Sequence, residues 1–184
     1  MNRIIIVKSL LILLFILRFN AVAQNNEFTI EKLVGSSNAI IQGKVTKIDS
    51  WTGVNGRIYS DVKFKVSSVF KGKVKQNQEL NFRLLGGTLG KRRTTVFELP
   101  HFEENVTSFL FLRSIGDNYD ITNALVTVEG AQGKFDVVEN GKVIRDKFMF
   151  VPILIRNGNG YKKMNNKNSV LLSEFLNQIE LLTK

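Results

Sequence analysis

The stretch from Leu84 to Phe102, LLGGTLGKRRTTVFELPHF, holds the residues whose types and spacing come nearest to chemistry. Gly86, Gly87 and Gly90 are followed by Lys91, Arg92 and Arg93. A phosphate loop reads G-x-x-x-x-G-K-[ST] and opens a helix, so that backbone N–H groups cradle phosphates and a hydroxyl holds magnesium. Here the interval from Gly86 to Gly90 is one residue short, and Arg92 stands where the hydroxyl belongs. The residues that follow, RTTVFEL, are strand formers. The segment therefore reads as a glycine-rich reversal between two strands, tipped with Lys91, Arg92 and Arg93. That triplet is the first candidate for ligand contact, toward a polyanion or a carboxylate patch.

A second cluster is His101, Glu103 and Glu104. A hydrolytic zinc site draws two or three histidines, or two and a carboxylate, and this chain has one histidine and no cysteine. No metal ligand set, cofactor or thiol nucleophile is expected, and PHFEEN reads as a structural turn. The acids Asp61, Glu79, Glu98, Asp120 and Asp136 lie in strands or at their ends, and two of them at short separation would suit glycoside hydrolysis. Spacing alone places none of them together, and no catalytic residue is assigned. The fourth candidate is aromatic: Trp51 in DSWTGVNG and Tyr59, near Arg57, Lys63 and Lys65, suit stacking on a base or a sugar. For Trp51 the alternative is that it covers the end of the fold.

These residues must be positioned by strands. SNAIIQGKVTKIDS is the first, with Ile41, Gly43 and Val45 on one side and Ile40, Lys44, Thr46 and Ile48 on the other; its internal glycine marks a bulge or bend. RIYSDVKFKVSSVFKG alternates strictly, Ile58, Val62, Phe64 and Val66 against Tyr59, Asp61, Lys63 and Lys65, so one face is buried and one is wet. QELNFRLLGG puts Leu80, Phe82 and Leu84 on one face. Thr94 to Leu99 is expected as a further strand ended by Pro100. TSFLFLRS is apolar on both faces and should be central. NYDITN reads as a short partner strand, and GKFDVVENGKVIR as a hairpin with Asn140-Gly141 at its tip. FMFVPILI is a last apolar strand, and RNGNGYKKMNNKNS a polar loop.

A short helix is expected over EFTIEKLVGSSNA, with Phe28, Ile30, Leu33 and Val34 on one face and Gly35 as its C-cap. A C-terminal helix over about 169–183 is capped by Ser169 or Asn168. Its stripe is Leu172, Leu176 and Ile179, widened by Leu171, Phe175 and Leu182. Short strands, turn signals and a helix at each end predict an all-β fold: a small antiparallel barrel, closed or partly open.

The first residues read as an export signal. Arg3 and Lys8 precede the apolar SLLILLFIL of Ser9 to Leu17, and Ala21-Val22-Ala23 is a small-x-small cleavage pattern. The apolar run is broken by Lys8 and stopped by Arg18, short of the roughly 20 residues of a membrane span. Cleavage after Ala23 would leave a single domain of residues 24–184, enough for a core of its own without disulfides. The whole chain carries +10, and the signal holds three basic residues and no acids, leaving the domain about +7. That charge favours anionic surfaces or an acidic protein. Abundant asparagine suggests a bacterial source, and the location is secreted or periplasmic.

The succession SSNAIIQGKVTKI, IYSDVKFKVSSVFKG, LNFRLLGGTLG and VTSFLFL resembles a bacterial secreted family. It is similar to the netrin-like or TIMP-like (tissue inhibitor of metalloproteinases) version of the OB-fold, over roughly Ser36 to Arg113. Gly43-Lys44-Val45 and Phe70-Lys71-Gly72 are its most specific pieces. The resemblance implies an OB-like barrel that is a secreted binding module, and the domain is expected to be monomeric or weakly associating. Its partner would be a protein, a secreted protease among the choices, met through the barrel loops. The N-terminal cysteine with which TIMP-like inhibitors chelate the protease zinc has no counterpart here. Two other functions stay open: a binder of anionic polysaccharide or nucleic acid through the basic loop, and a hydrolase of envelope polymers.

Overall fold

The computed structural model describes residues 28–97, 99–114, 125–128, 130–145, 153–164 and 169–184. The export signal, the NYDITN segment, Glu98, Asp120 and the first part of FMFVPILI lie outside them.

β1 (Phe28–Thr29) leads into α1 (Ile30–Ser36), where Thr29 accepts a hydrogen bond from the Lys32 N–H as N-cap. Gly35 lies inside the last turn and the C-cap is Ser37, whose hydroxyl donates to the Leu33 carbonyl. The expected glycine cap is thus replaced by a serine that satisfies the helix end itself. β2 (Ala39–Thr52) and β3 (Ile58–Lys71) form a long hairpin, and the Asn55-Gly56 turn joins them with Gly56 at φ +75°. β4 (Glu79–Leu85) pairs with β3, and β5 (Gly87–Leu89) with β6 (Arg92–Thr94). β7 (Thr107–Ser114), β8 (Leu125–Thr127), β9 (Lys134–Val138) and β10 (Lys142–Arg145) follow. β9 and β10 are joined by a three-residue turn, Glu139–Gly141, with Asn140 and Gly141 both at positive φ.

The molecule is all-β with a packed C-terminal helix, and its sheets are not closed. The main sheet runs β13-β10-β9-β7-β2-β3-β4, with β8 beside β7 and β13 at Val170–Leu171. A smaller sheet joins β1, β11 (Ile153–Asn157) and β12 (Gly160–Met164), and its β1–β11 pair is parallel. β12 occupies part of the segment expected to be a loop: Asn157 to Gly160 turn the chain, and Tyr161, Lys162 and Lys163 continue as an exposed edge. Of Thr94 to Leu99, expected as a strand, only Thr94 lies in one among the described residues, as the end of β6.

β7 is central, between β2 and β9. Its alternation sends Phe109 and Phe111 to one core and Leu110 and Leu112 to the other. The first core is covered by α1 and by α2 (Leu172–Thr183). Phe175 is fully buried there, with ring contacts to Phe109, Phe111 and Phe135 at 5.1, 6.4 and 5.0 Å. The helix begins three residues later than expected because Val170 and Leu171 pair with β10; Leu171 is its N-cap and no side chain caps it. The Leu172 N–H donates to the Gly141 carbonyl instead. The buried stripe is Phe175 and Ile179, with Leu172 and Leu176 partly buried, whereas Leu171 and Leu182 are exposed.

The second core lies inside the curl of β2, β3 and β4. Three register shifts between β2 and β3 bend that hairpin. One falls at Gly43, where a Cβ would strike the Lys65 carbonyl and the Phe64 ring. Another leaves Thr46 as the extra residue between Val45 and Lys47, so Ile48 joins the second core on the side of Val45. A strict alternation put Ile48 on the opposite side; the bulge reverses it. Phe102 fills the gap that strand pairing leaves open. It stacks on Phe82 of β4 at 5.9 Å, and the Lys134 ammonium of β9 lies 5.4 Å over its ring. No helix among the described residues is long and apolar enough to cross a membrane.

Candidate functional site

The hairpin of β2 and β3 sorts its side chains to two faces. Ile48, Ser50, Ser60 and Val62 point inward, and Asp49, Trp51, Tyr59 and Asp61 point outward. On the inner side, where β5 and β6 fold back, is a cleft of about 260 Å³. Its floor is apolar, from Ile48, Val62, Leu84 and Phe102. Its rim carries Ser50, Thr88, Arg93, Thr94, Thr95 and His101. Arg93 and His101 are the basic groups of the described lining, which contains no carboxylate.

At the cleft the β5 backbone lies directly against two serine side chains of the β2–β3 hairpin. Gly87 has φ +135°, and a Cβ on it would fall on the Ser60 and Ser50 hydroxyls. Ser60 donates to the Gly86 carbonyl at 2.8 Å. Its hydrogen is therefore spent, and at 2.9 Å Ser50 donates to Ser60. A serine nucleophile gives its proton to a general base; here Ser60 gives its proton to a carbonyl and Ser50 gives its proton to Ser60.

The sequence-predicted site residues divide. Lys91 is at the turn, exposed, with Gly90 at φ +60°. Arg92 and Arg93 belong to β6 rather than to the tip, and a strand, not a helix, follows the glycines, so no phosphate loop forms. Arg92 donates to the Thr52 hydroxyl at 3.0 Å, which ties the hairpin to β2, and Arg93 lines the cleft. Trp51 and Tyr59 lie on the other face of the sheet. Trp51 is the last but one residue of β2, not a loop residue. It stacks on its cross-strand neighbour Tyr59 at 5.1 Å, and the Arg83 guanidinium lies 5.2 Å from its ring.

Arg83 makes two hydrogen bonds to Asp61, at 2.7 and 3.1 Å, and the Trp51 indole N–H donates to the same carboxylate at 3.2 Å. The Arg83 hydrogen bonds hold the Asp61 carboxyl below its usual pKa of 3.8, against partial burial, with help from Trp51. These contacts last while Asp61 is charged, so whatever stability they add is present above the ordinary carboxylate range and lost as pH falls through the lowered value. Trp51 is the one tryptophan of the chain. Its fluorescence is expected to hold steady from pH 7 to about 4 and to change below that, and Arg83→Met should move the midpoint up toward about 4. A midpoint unmoved in the variant would show that Arg83 does not set it.

His101 Nε2 is 3.3 Å from Glu103 Oε1. Glu104 turns away and accepts from the Ile48 N–H at 2.9 Å, holding the β2 bulge. Among the described residues no group of three His, Asp or Glu side chains is placed to hold a metal ion. Of the candidate acids, Asp61 meets Arg83, Glu79 meets Lys63 at 3.7 Å and Asp136 meets Lys134 at 2.6 Å. Each is thus matched to its own cation.

Ser50, Ser60 and the place of His101 in the cleft were not legible as a site. The Gly86-Gly87 doublet was the available signal, since a glycine pair ending a strand marks close backbone approach. No protein-family model, no curated protein and no solved structure matches the chain.

Proposed function

We propose that this chain is a non-catalytic binding module, exported to the periplasm or beyond, that takes a short segment of a partner protein in the cleft beneath the β5–β6 hairpin. The observation that carries this reading is the lining itself: an apolar floor, a row of hydroxyls and Arg93 at the rim. Such a surface accepts apolar side chains and anchors one carboxylate beside them. The committed protons of Ser50 and Ser60 favour binding over chemistry. The TIMP-like resemblance agrees with a protein partner, although the cleft, not a chelating N-terminus, is the contact proposed.

A random-peptide display selection on the domain tests this. Enriched peptides should combine apolar residues with an acidic side chain or a free C-terminus, and should bind Arg93→Glu at least tenfold more weakly. Selected peptides that bind the variant as well as the parent, or that shift no NMR signal of cleft residues, would defeat the proposal.

A further inference from the structure

The outer face of the β2–β3 hairpin carries a second surface, on the side opposite the cleft. In register, Lys44 faces Lys65 and Lys47 faces Lys63. Lys63 and Lys65 are two residues apart on β3, so both pairs stand on one face. All four are exposed. They make a rectangle with sides of roughly 5 Å across the strands and roughly 7 Å along them. Like charges placed directly opposite each other destabilise a sheet. Lys47 offsets this with Asp49 at 2.8 Å, and Lys63 with Glu79 at 3.7 Å. Glu79 stands opposite Lys65 in register but makes its ion pair with Lys63. Lys44 and Lys65 thus face one another across the hairpin with no ion pair of their own among the described residues.

We infer that this lysine rectangle is a docking surface for a linear anionic polysaccharide whose carboxylates or sulfates recur along the chain. Charge complementarity carries the proposal: an arrangement that costs the sheet stability becomes favourable once negative groups lie between the lysines. The rings on this face argue against a single-stranded nucleic acid. Base stacking needs open aromatic faces, and Trp51 and Tyr59 are stacked on each other with Arg83 against Trp51. The Lys91–Arg93 hairpin takes no part, since Arg92 and Arg93 belong to the cleft side.

The test uses the domain with its four lysines and a variant carrying Lys44→Gln, Lys47→Gln, Lys63→Gln and Lys65→Gln. The probes are heparin, polygalacturonate and oligo(dT), each across a salt series. The parent should hold at least one of the two polysaccharides. The dependence of log affinity on log salt should flatten in the variant by about one unit for each lysine that contributes. The variant should unfold at nearly the same urea concentration, because losing the facing like charges offsets the loss of two exposed ion pairs. Unchanged stability separates a binding role from a structural one. Equal retention of parent and variant, failure of both polysaccharides to bind the parent, or loss of oligo(dT) binding alone would overturn the proposal. Arg93→Glu, which tests the cleft, should leave retention on the polysaccharide unchanged, so the two readings fail separately.

Discussion

Replacing Asp136 with alanine should destabilise the domain by about 2–3 kcal/mol, the usual cost of removing a hydrogen-bonding partner from a buried charged group. Lys134 is 1 % exposed. Its ammonium lies 2.6 Å from both Asp136 oxygens, and the Ser108 hydroxyl donates to Oδ1 at 2.6 Å. Ser108 and Asp136 face each other in register across β7 and β9, with Lys134 opposite Leu110, so the cluster sits at the edge of the second core. Removing the carboxylate takes two acceptors from a lysine enclosed by apolar neighbours and by the Phe102 ring. The loss is a large share of the roughly 5–15 kcal/mol that holds a typical domain together. Urea unfolding would measure it. The double variant Lys134→Met/Asp136→Leu removes both charges and should recover part of the loss, the Ser108 hydroxyl being among the groups left without an acceptor. An equal loss in single and double variants would mean that lost volume, not charge, is the cause.

The second large effect is expected at Phe175. Phe175→Ala should cost about 3–5 kcal/mol, since it removes a fully enclosed ring and leaves a cavity where three other phenylalanines meet. In a domain of this size that corresponds to a fall in Tm on the order of 10 °C. Leu182→Ala on the same helix and Leu171→Ala at its N-cap should each cost under about 2 kcal/mol, since neither side chain is enclosed, Leu171 being 54 % and Leu182 37 % exposed. Thermal unfolding of the three variants separates the stripe that the structure buries from the wider one that helical periodicity allows. Comparable losses at Leu182 and Phe175 would contradict the observed packing of α2.

The contrast at α2 shows what local pattern reaches. A period of 3.6 marks the apolar side of a helix, but not which of its leucines finds a neighbour. That depends on Phe109, Phe111 and Phe135, more than thirty residues away in the chain, and on the pairing of Val170 and Leu171 with β10, which delays the helix. The same limit applies to Ile48. Alternation is a local rule, and one extra residue at Thr46 reverses it; the register shift arises only when β2 and β3 are paired.

By itself the sequence determined the all-β class, the long β2–β3 hairpin with its Asn55-Gly56 turn, the central place of β7 and the Asn140-Gly141 reversal. Each follows from period-two apolar pattern or from residues that tolerate positive φ, which are properties of a few neighbouring residues. Only the tertiary structure decided that the sheet stays open with Phe102 in the gap, and that Trp51 and Tyr59 lie on the face opposite Arg93. It alone brought Arg93 and His101 together above Ser50 and Ser60, and set Lys44 against Lys65. The physical reason is common to all of these. Burial, charge and reach at one residue are set by neighbours that strand register supplies, and register is a relation between distant segments rather than a property of either.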